Sequence, residues 1–142
     1  MPRRQDPKLV ALKSVPLFAG MTRKELGAVG RIADEIELPP GKELIREDML
    51  GKQFFILLEG EAEVRRRGRK VNRLRAMDFF GEIALLRTGK TTATVTAATS
   101  VRAVVITRPS FLKLLRDDPR VQLTVLDALV KRMPGDDVFT PS

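Results

Sequence analysis

The 142-residue sequence contains no cysteine, no histidine, no tryptophan and no tyrosine, and serine is scarce. The first two absences exclude disulfides, thiolate or imidazole metal ligands, and any catalysis that relies on a Cys nucleophile or a His base. No metal site and no catalytic constellation is readable, so an enzyme is not expected. Without Trp or Tyr the chain lacks the larger aromatic platforms on which nucleic-acid bases commonly stack. No apolar run is long enough to span a bilayer, so membrane insertion is not expected. The opening "MPRRQDPKLVALK" has no apolar stretch after its arginines that would make a secretory signal, which leaves the cytoplasm as the expected address.

What is present describes a folded domain. Hydrophobic residues make up 43% and charged residues 31% of the chain, a balance unlike that of disordered segments. The length suits one domain over 1–142, with the core at about 12–133 and frayed ends. The formal charge of +8 favours anionic partners without naming one. Much of the excess lies in "RRRGRKVNRLR", Arg65 to Arg75, where seven of eleven residues are basic. This run reads as a solvated hairpin tip turning at Gly68, with Arg66 and Arg69 remote from any pocket. A nucleic-acid surface would normally add stacking aromatics or a recognition helix, so direct DNA binding is not expected.

The periodicity changes twice along the chain. "LVALKSVPLF" predicts a short helix broken before Pro16. Thr22 and Glu25 form a capping-box pattern ahead of Leu26, Val29 and Ile32 on one helical face. From Ala33 onward, short β-forming segments alternate with turns: "IEL", "PPGKELI", "QFFILLEG", "EAEVRRRG", "RKVNRLR", "TATVTAAT" and "VRAVVIT". Gly41, Gly51, Gly60 and Gly68 punctuate them at a spacing that suits an antiparallel sandwich, barrel or jelly roll. Helix returns in "PSFLKLLRDD", with Pro109 in the first turn, and in "DPRVQLTVLDALVKRM", where Val121, Val125, Leu126, Leu129 and Met133 recur at helical spacing. The expected class is mainly β with flanking α. The seven phenylalanines read as core.

The stretch "GEIALLRTGKTTATV", Gly81 to Val95, holds two competing phosphate signals. Its "GKTT" would need a glycine at position 84 to complete a triphosphate loop, and that residue is Ala84; the following "TATVTAAT" is strand rather than helix. The longer run resembles the phosphate-binding cassette of the cyclic nucleotide-binding domain family. "LKSVPLFAGMTRKEL", "PPGKELIRED", "GKQFFILLEGEAEV" and above all "DFFGEIALL" extend the resemblance from about Leu12 to Met133.

The resemblance implies a jelly roll, or β-roll, with N-terminal helices, a short cassette helix and C-terminal helices. It implies a cyclic nucleotide as ligand, cyclic AMP before cyclic GMP, held by Gly81, Glu82, Ile83, Ala84, Thr91 and Thr92. The start of the cassette helix, near Gly81 to Ala84, would direct unpaired N–H groups at the phosphate, and Gly81 would let the backbone come close to it. By resemblance Glu82 accepts a hydrogen bond from the ribose 2'-hydroxyl. The family's phosphate-pairing arginine falls at Thr91. The loss of such a charge-assisted bond would weaken binding by about one to two orders of magnitude unless Lys90 or Arg87 turned inward to replace it. Asp48 and Met77 stand where the family usually has turn glycines, so the turn before "DFFGE" is expected to differ in shape. Two roles stay open, a sensor acting on an effector protein and a degenerate fold serving as an interaction module. A transcription factor would need a helix-turn-helix, which is not expected here unless another polypeptide supplies it. The chain is expected to act as a monomer or as a homodimer through the C-terminal helix.

Overall fold

The computed structural model describes residues 6–81, 83–86 and 89–132, with the backbone alone for Ile83 and Arg132. Helix α1 (Pro7–Ser14) starts at Asp6, whose carboxylate accepts the Lys8 N–H at 2.9 Å, and ends at the extended Val15 that Pro16 enforces. Helix α2 (Arg23–Ile32) opens with the predicted box: Thr22 Oγ1 accepts the Glu25 N–H at 3.2 Å and Glu25 Oε1 accepts the Thr22 N–H at 2.9 Å. Leu26 and Val29 are buried and Ile32 packs against them.

Eight strands follow: β1 (Asp34–Leu38), β2 (Glu43–Ile45), β3 (Gln53–Glu59), β4 (Ala62–Arg66), β5 (Arg69–Leu74), β6 (Phe79–Phe80), β7 (Thr94–Ala97) and β8 (Val101–Thr107). They form two antiparallel four-stranded sheets, in the orders β1-β8-β3-β6 and β2-β7-β4-β5. The two-residue β6, too short for any alternation, is the strand the sequence reading did not resolve. Helix α3 (Ile83–Leu86) lies between β6 and β7, and α4 (Arg108–Asp117) and α5 (Pro119–Arg132) complete the fold.

The central strands of the first sheet, β3 and β8, are buried on both faces, which explains why "QFFILLE" and "VRAVVIT" are almost continuously apolar. Phe54, Ile56, Val104 and Ile106 face the helices, where they pack with Phe18, Leu85, Phe111 and Val121. Leu57, Val101 and Ala103 face the other sheet and meet Ala62, Leu74, Val95 and Ala97. Of the phenylalanines, 18, 54, 55 and 111 are buried and 79 and 80 half-buried, while Phe139 lies outside the described residues. On α5 Val121 and Val125 are buried and Leu129 packs on the core, but Leu126 is 51% exposed, against the sequence reading. Five residues beyond Val121 it sits about 140° round the helix, off the buried stripe. Met133 lies outside the described residues. The Thr124 hydroxyl donates to Glu25 Oε2 at 2.6 Å and so ties α5 to α2. This bond, with those from Thr22, holds the Glu25 carboxyl below its usual range.

The two residues that stand in place of turn glycines take a glycine-like backbone. Asp48 (φ 63) and Met77 (φ 75) both adopt the left-handed region themselves. The Asp78 N–H closes the turn by donating to the Arg75 carbonyl at 3.0 Å, while the Met77 N–H docks it on β3 by donating to the Leu57 carbonyl at 2.7 Å. A Met there carries a strain of about 1–2 kcal/mol, and at 41% exposure its side chain regains little by burial. Met77→Gly is therefore expected to raise stability by a net ~0.5–1 kcal/mol after the greater unfolded-state entropy of glycine is subtracted. A shift of the urea midpoint to higher concentration at constant slope is the expected reading.

Candidate functional site

A cavity of about 690 Å³ is lined by residues of β2, β4, β5, β6 and β7 and of the segments that flank α3. Its apolar wall comes from alternate residues of the second sheet, Val64, Leu74 and Val95, together with Phe80. Phe80 stacks on Phe55 with ring centroids 5.2 Å apart and planes 16° from parallel. Its other wall is the stretch singled out from the sequence: Gly81 and Ala84 on the outgoing side, Lys90, Thr91 and Thr92 on the returning side. Five of the eight predicted site residues thus converge on one cavity. Ile83 opens α3, with only its backbone described, and Glu82 and Arg87 lie outside the described residues.

Local geometry adds a structural reason for Gly81 and corrects the one expected at Ala84. Gly81 takes φ 82, and a Cβ there would lie 2.5 Å from the Gln53 carbonyl oxygen, so the fold itself demands glycine. The Ala84 N–H is not open to a ligand, because it donates to the Gly81 carbonyl at 3.0 Å. With four residues, α3 is little more than one turn.

Thr91 is not simply a vacant arginine position. Its hydroxyl donates to the Arg46 carbonyl and accepts the Met49 N–H at 3.2 Å. Its backbone N–H donates to Met49 at 2.8 Å, its carbonyl accepts from Asp48 at 2.9 Å, and Gly89 accepts from Gly51 at 3.0 Å. The cassette's return is thereby laced to the loop between β2 and β3. At the start of that loop Arg46 pairs with Glu43 at 3.1 Å and holds its carboxyl below the usual range.

The sequence reading missed Arg66. Far from being remote, it lines the cavity, and its Nε donates to the Thr92 carbonyl at 3.2 Å. The next residue, Arg67 (φ 52), begins the two-residue turn with Gly68, and its N–H is clamped by both Glu47 carboxylate oxygens at 3.1 Å. The hairpin tip is therefore fastened over the cassette. One signal was available: Ala62, Val64 and Arg66 alternate on one face of β4, and the first two face the roll.

Among the described residues no helix is long and apolar enough to cross a membrane, and no group of three or more acidic side chains is placed to hold a metal ion.

Comparison with known proteins agrees with this geometry. Residues 35–118 match the model of the cyclic nucleotide-binding domain. Over 121 residues the chain is 31% identical to a cAMP-dependent protein kinase regulatory subunit of Pyricularia oryzae, an alignment that covers 83% of this chain and 31% of that protein. A regulatory subunit of the same name from Eremothecium gossypii is 34% identical over 108 residues, 73% of this chain and 23% of its own length. The chain thus spans less than a third of these relatives. Among solved structures, the N-terminal domain of a transcriptional regulator from Streptomyces coelicolor superposes with a TM-score of 0.82 at 23% identity, covering 93% of this chain and 98% of that one. The Thermus thermophilus catabolite activator protein gives 0.67 at 25% identity, covering 87% and 61%. On the strength of the matched model and the shared β-roll, the chain belongs to the cyclic nucleotide-binding domain family.

Proposed function

We propose that this chain is a non-enzymatic regulatory domain that senses a cyclic nucleotide, with cyclic AMP as its first ligand and cyclic GMP as the second to test. The observation that carries the reading is the 690 Å³ cavity, which joins an apolar wall suited to a base and sugar with a polar wall made by the cassette. Its size falls within the ordinary range for small-molecule sites. The regulatory-subunit relatives are named as cAMP-dependent, which supports cyclic AMP ahead of cyclic GMP. On this reading Glu82 accepts the ribose 2'-hydroxyl, and Gly81, Ile83, Ala84, Thr91 and Thr92 surround the cyclic phosphate.

A ligand acts on a partner only through a difference in affinity between two states of the domain. The element offered for that change is α5, held to α2 by the Thr124–Glu25 bond and carrying Leu123, Leu126 and Val130 exposed to solvent. Its repositioning would be read by an effector protein in the cytoplasm, with the domain acting as a monomer or as a homodimer through that helix.

Calorimetric titration with cyclic AMP, cyclic GMP and AMP tests the proposal. The expected result is a saturable isotherm for at least one cyclic nucleotide below millimolar concentration, with AMP at least about ten-fold weaker, a gap of roughly 1.4 kcal/mol. Absence of heat from both cyclic ligands up to millimolar concentration would replace the sensor by an interaction module that has lost its nucleotide.

A further inference from the structure

A cyclic nucleotide brings one negative charge into a cavity whose walls are largely apolar, and a buried charge needs a paired, hydrogen-bonded counter-charge. Position 91 offers none, since the Thr91 hydroxyl is engaged with the β2–β3 loop. Among the described residues that line the cavity, the cations are Arg66 and Lys90. Both are exposed, and Lys90 stands in the short bridge to Leu50, whereas Arg66 is tethered to the cassette.

Arg66 is held at three points. β4 fixes its direction, through the alternation with Val64 and Ala62 and the pairing of Arg66 with Arg69. The Glu47 carboxylate clamps the next backbone N–H. The Thr92 carbonyl takes its Nε, so the Nη1–Nη2 edge of the planar fork is the edge that a phosphate could accept. Its neighbours are already committed, Arg65 to Glu63 and Arg73 to Glu61, whereas among the described residues Arg66 meets no carboxylate.

We infer that Arg66 pairs with the phosphate of the bound cyclic nucleotide, so that the guanidinium is supplied by the β4–β5 hairpin instead of the cassette. This assignment rests on the cyclic-nucleotide reading of the cavity. It removes the need for Lys90 or Arg87 to compensate for Thr91, and it gives the basic hairpin a task beyond solubility. Bidentate pairing also distinguishes Arg66 from a lysine, which offers only a point charge.

The test titrates the full chain and its Arg66→Gln, Arg66→Lys and Lys90→Gln variants with cyclic AMP at low and high salt, with thermal melts beside each. Arg66→Gln is expected to weaken binding about ten- to hundred-fold and to flatten its salt dependence. Arg66→Lys should fall between Arg66→Gln and wild type, and Lys90→Gln should stay within a few-fold of wild type. If wild type binds and Arg66→Gln binds equally well, the assignment is wrong while the cyclic-nucleotide reading stands. Weakened binding with an unchanged salt dependence would mean that Arg66 merely shapes the hairpin, which also overturns it. Should Arg66→Gln fail to fold, the lysine variant decides, and affinity equal to wild type rejects the fork. If wild type binds no cyclic nucleotide, the underlying reading fails and the assignment falls with it.

Discussion

Gly81→Ala is expected to cost about 2–5 kcal/mol of stability, the sum of two penalties. The first is the left-handed backbone at φ 82, which an L side chain occupies at a strain of about 1–2 kcal/mol. The second is steric. The added Cβ would stand 2.5 Å from the Gln53 carbonyl oxygen, and Gln53 belongs to β3, the strand that pairs with β8 through most of its length. A backbone atom in a paired strand cannot swing aside as a flexible side chain would, so either the sheet or the cassette moves, at a cost typical of overpacking, about 1–3 kcal/mol. Gly68→Ala isolates the first penalty, because that glycine has φ 79 with nothing within 4 Å of its Cβ position. Guanidinium denaturation of the two variants checks the account: a Gly81→Ala loss no larger than that of Gly68→Ala would show that the Gln53 contact is not a constraint.

The largest single loss is expected from Phe18→Ala, about 3–5 kcal/mol. Phe18 is fully buried at the junction of three elements. Its ring lies 6.2 Å from that of Phe54 on β3, edge to face, and 6.0 Å from that of Phe111 on α4. Truncation therefore opens a cavity walled by the outer face of a sheet and by helices from both ends of the chain. These walls are tied into separate hydrogen-bonded elements and cannot all collapse inward. Against a typical total of about 5–15 kcal/mol, this loss removes a large part of the margin. The lesion lies in the helical core, across the first sheet from the roll cavity, so molecules that remain folded should bind ligand as wild type does. A denaturant midpoint within error of wild type would show that the aromatic cluster is redundant.

Much of the fold was legible because its signals are local. The Thr22–Glu25 box, Pro16 and Pro109 set helix boundaries within a residue or two, and the glycine-spaced strands appeared where they were read, with β8 matching "VRAVVIT" end to end. β6 escaped because two residues, Phe79 and Phe80, carry no periodicity. Leu126 was misassigned because an apolar residue at roughly helical spacing need not lie within the narrow stripe that α5 buries. The cassette string brought Gly81, Ala84, Lys90, Thr91 and Thr92 together, as its continuity in sequence implied. Arg66 was hidden by its own neighbours, since a stretch with seven basic residues in eleven reads as a solvated tip even when one of them, itself exposed, lines the cavity.

The sequence by itself determined the class of fold, the family, and the segment that walls the site, because each is encoded in residues near one another along the chain. Tertiary structure decided what four residues do. Thr91 reaches the loop 42 to 45 residues before it, Arg66 reaches Thr92 across 26, and Arg67 is clamped by Glu47 across 20. Gly81 is required by a carbonyl of β3, whatever it offers a ligand. Helical and strand periodicities register only neighbours within a few residues, whereas a hydrogen bond or a close approach between distant segments is fixed by how the two sheets close on each other.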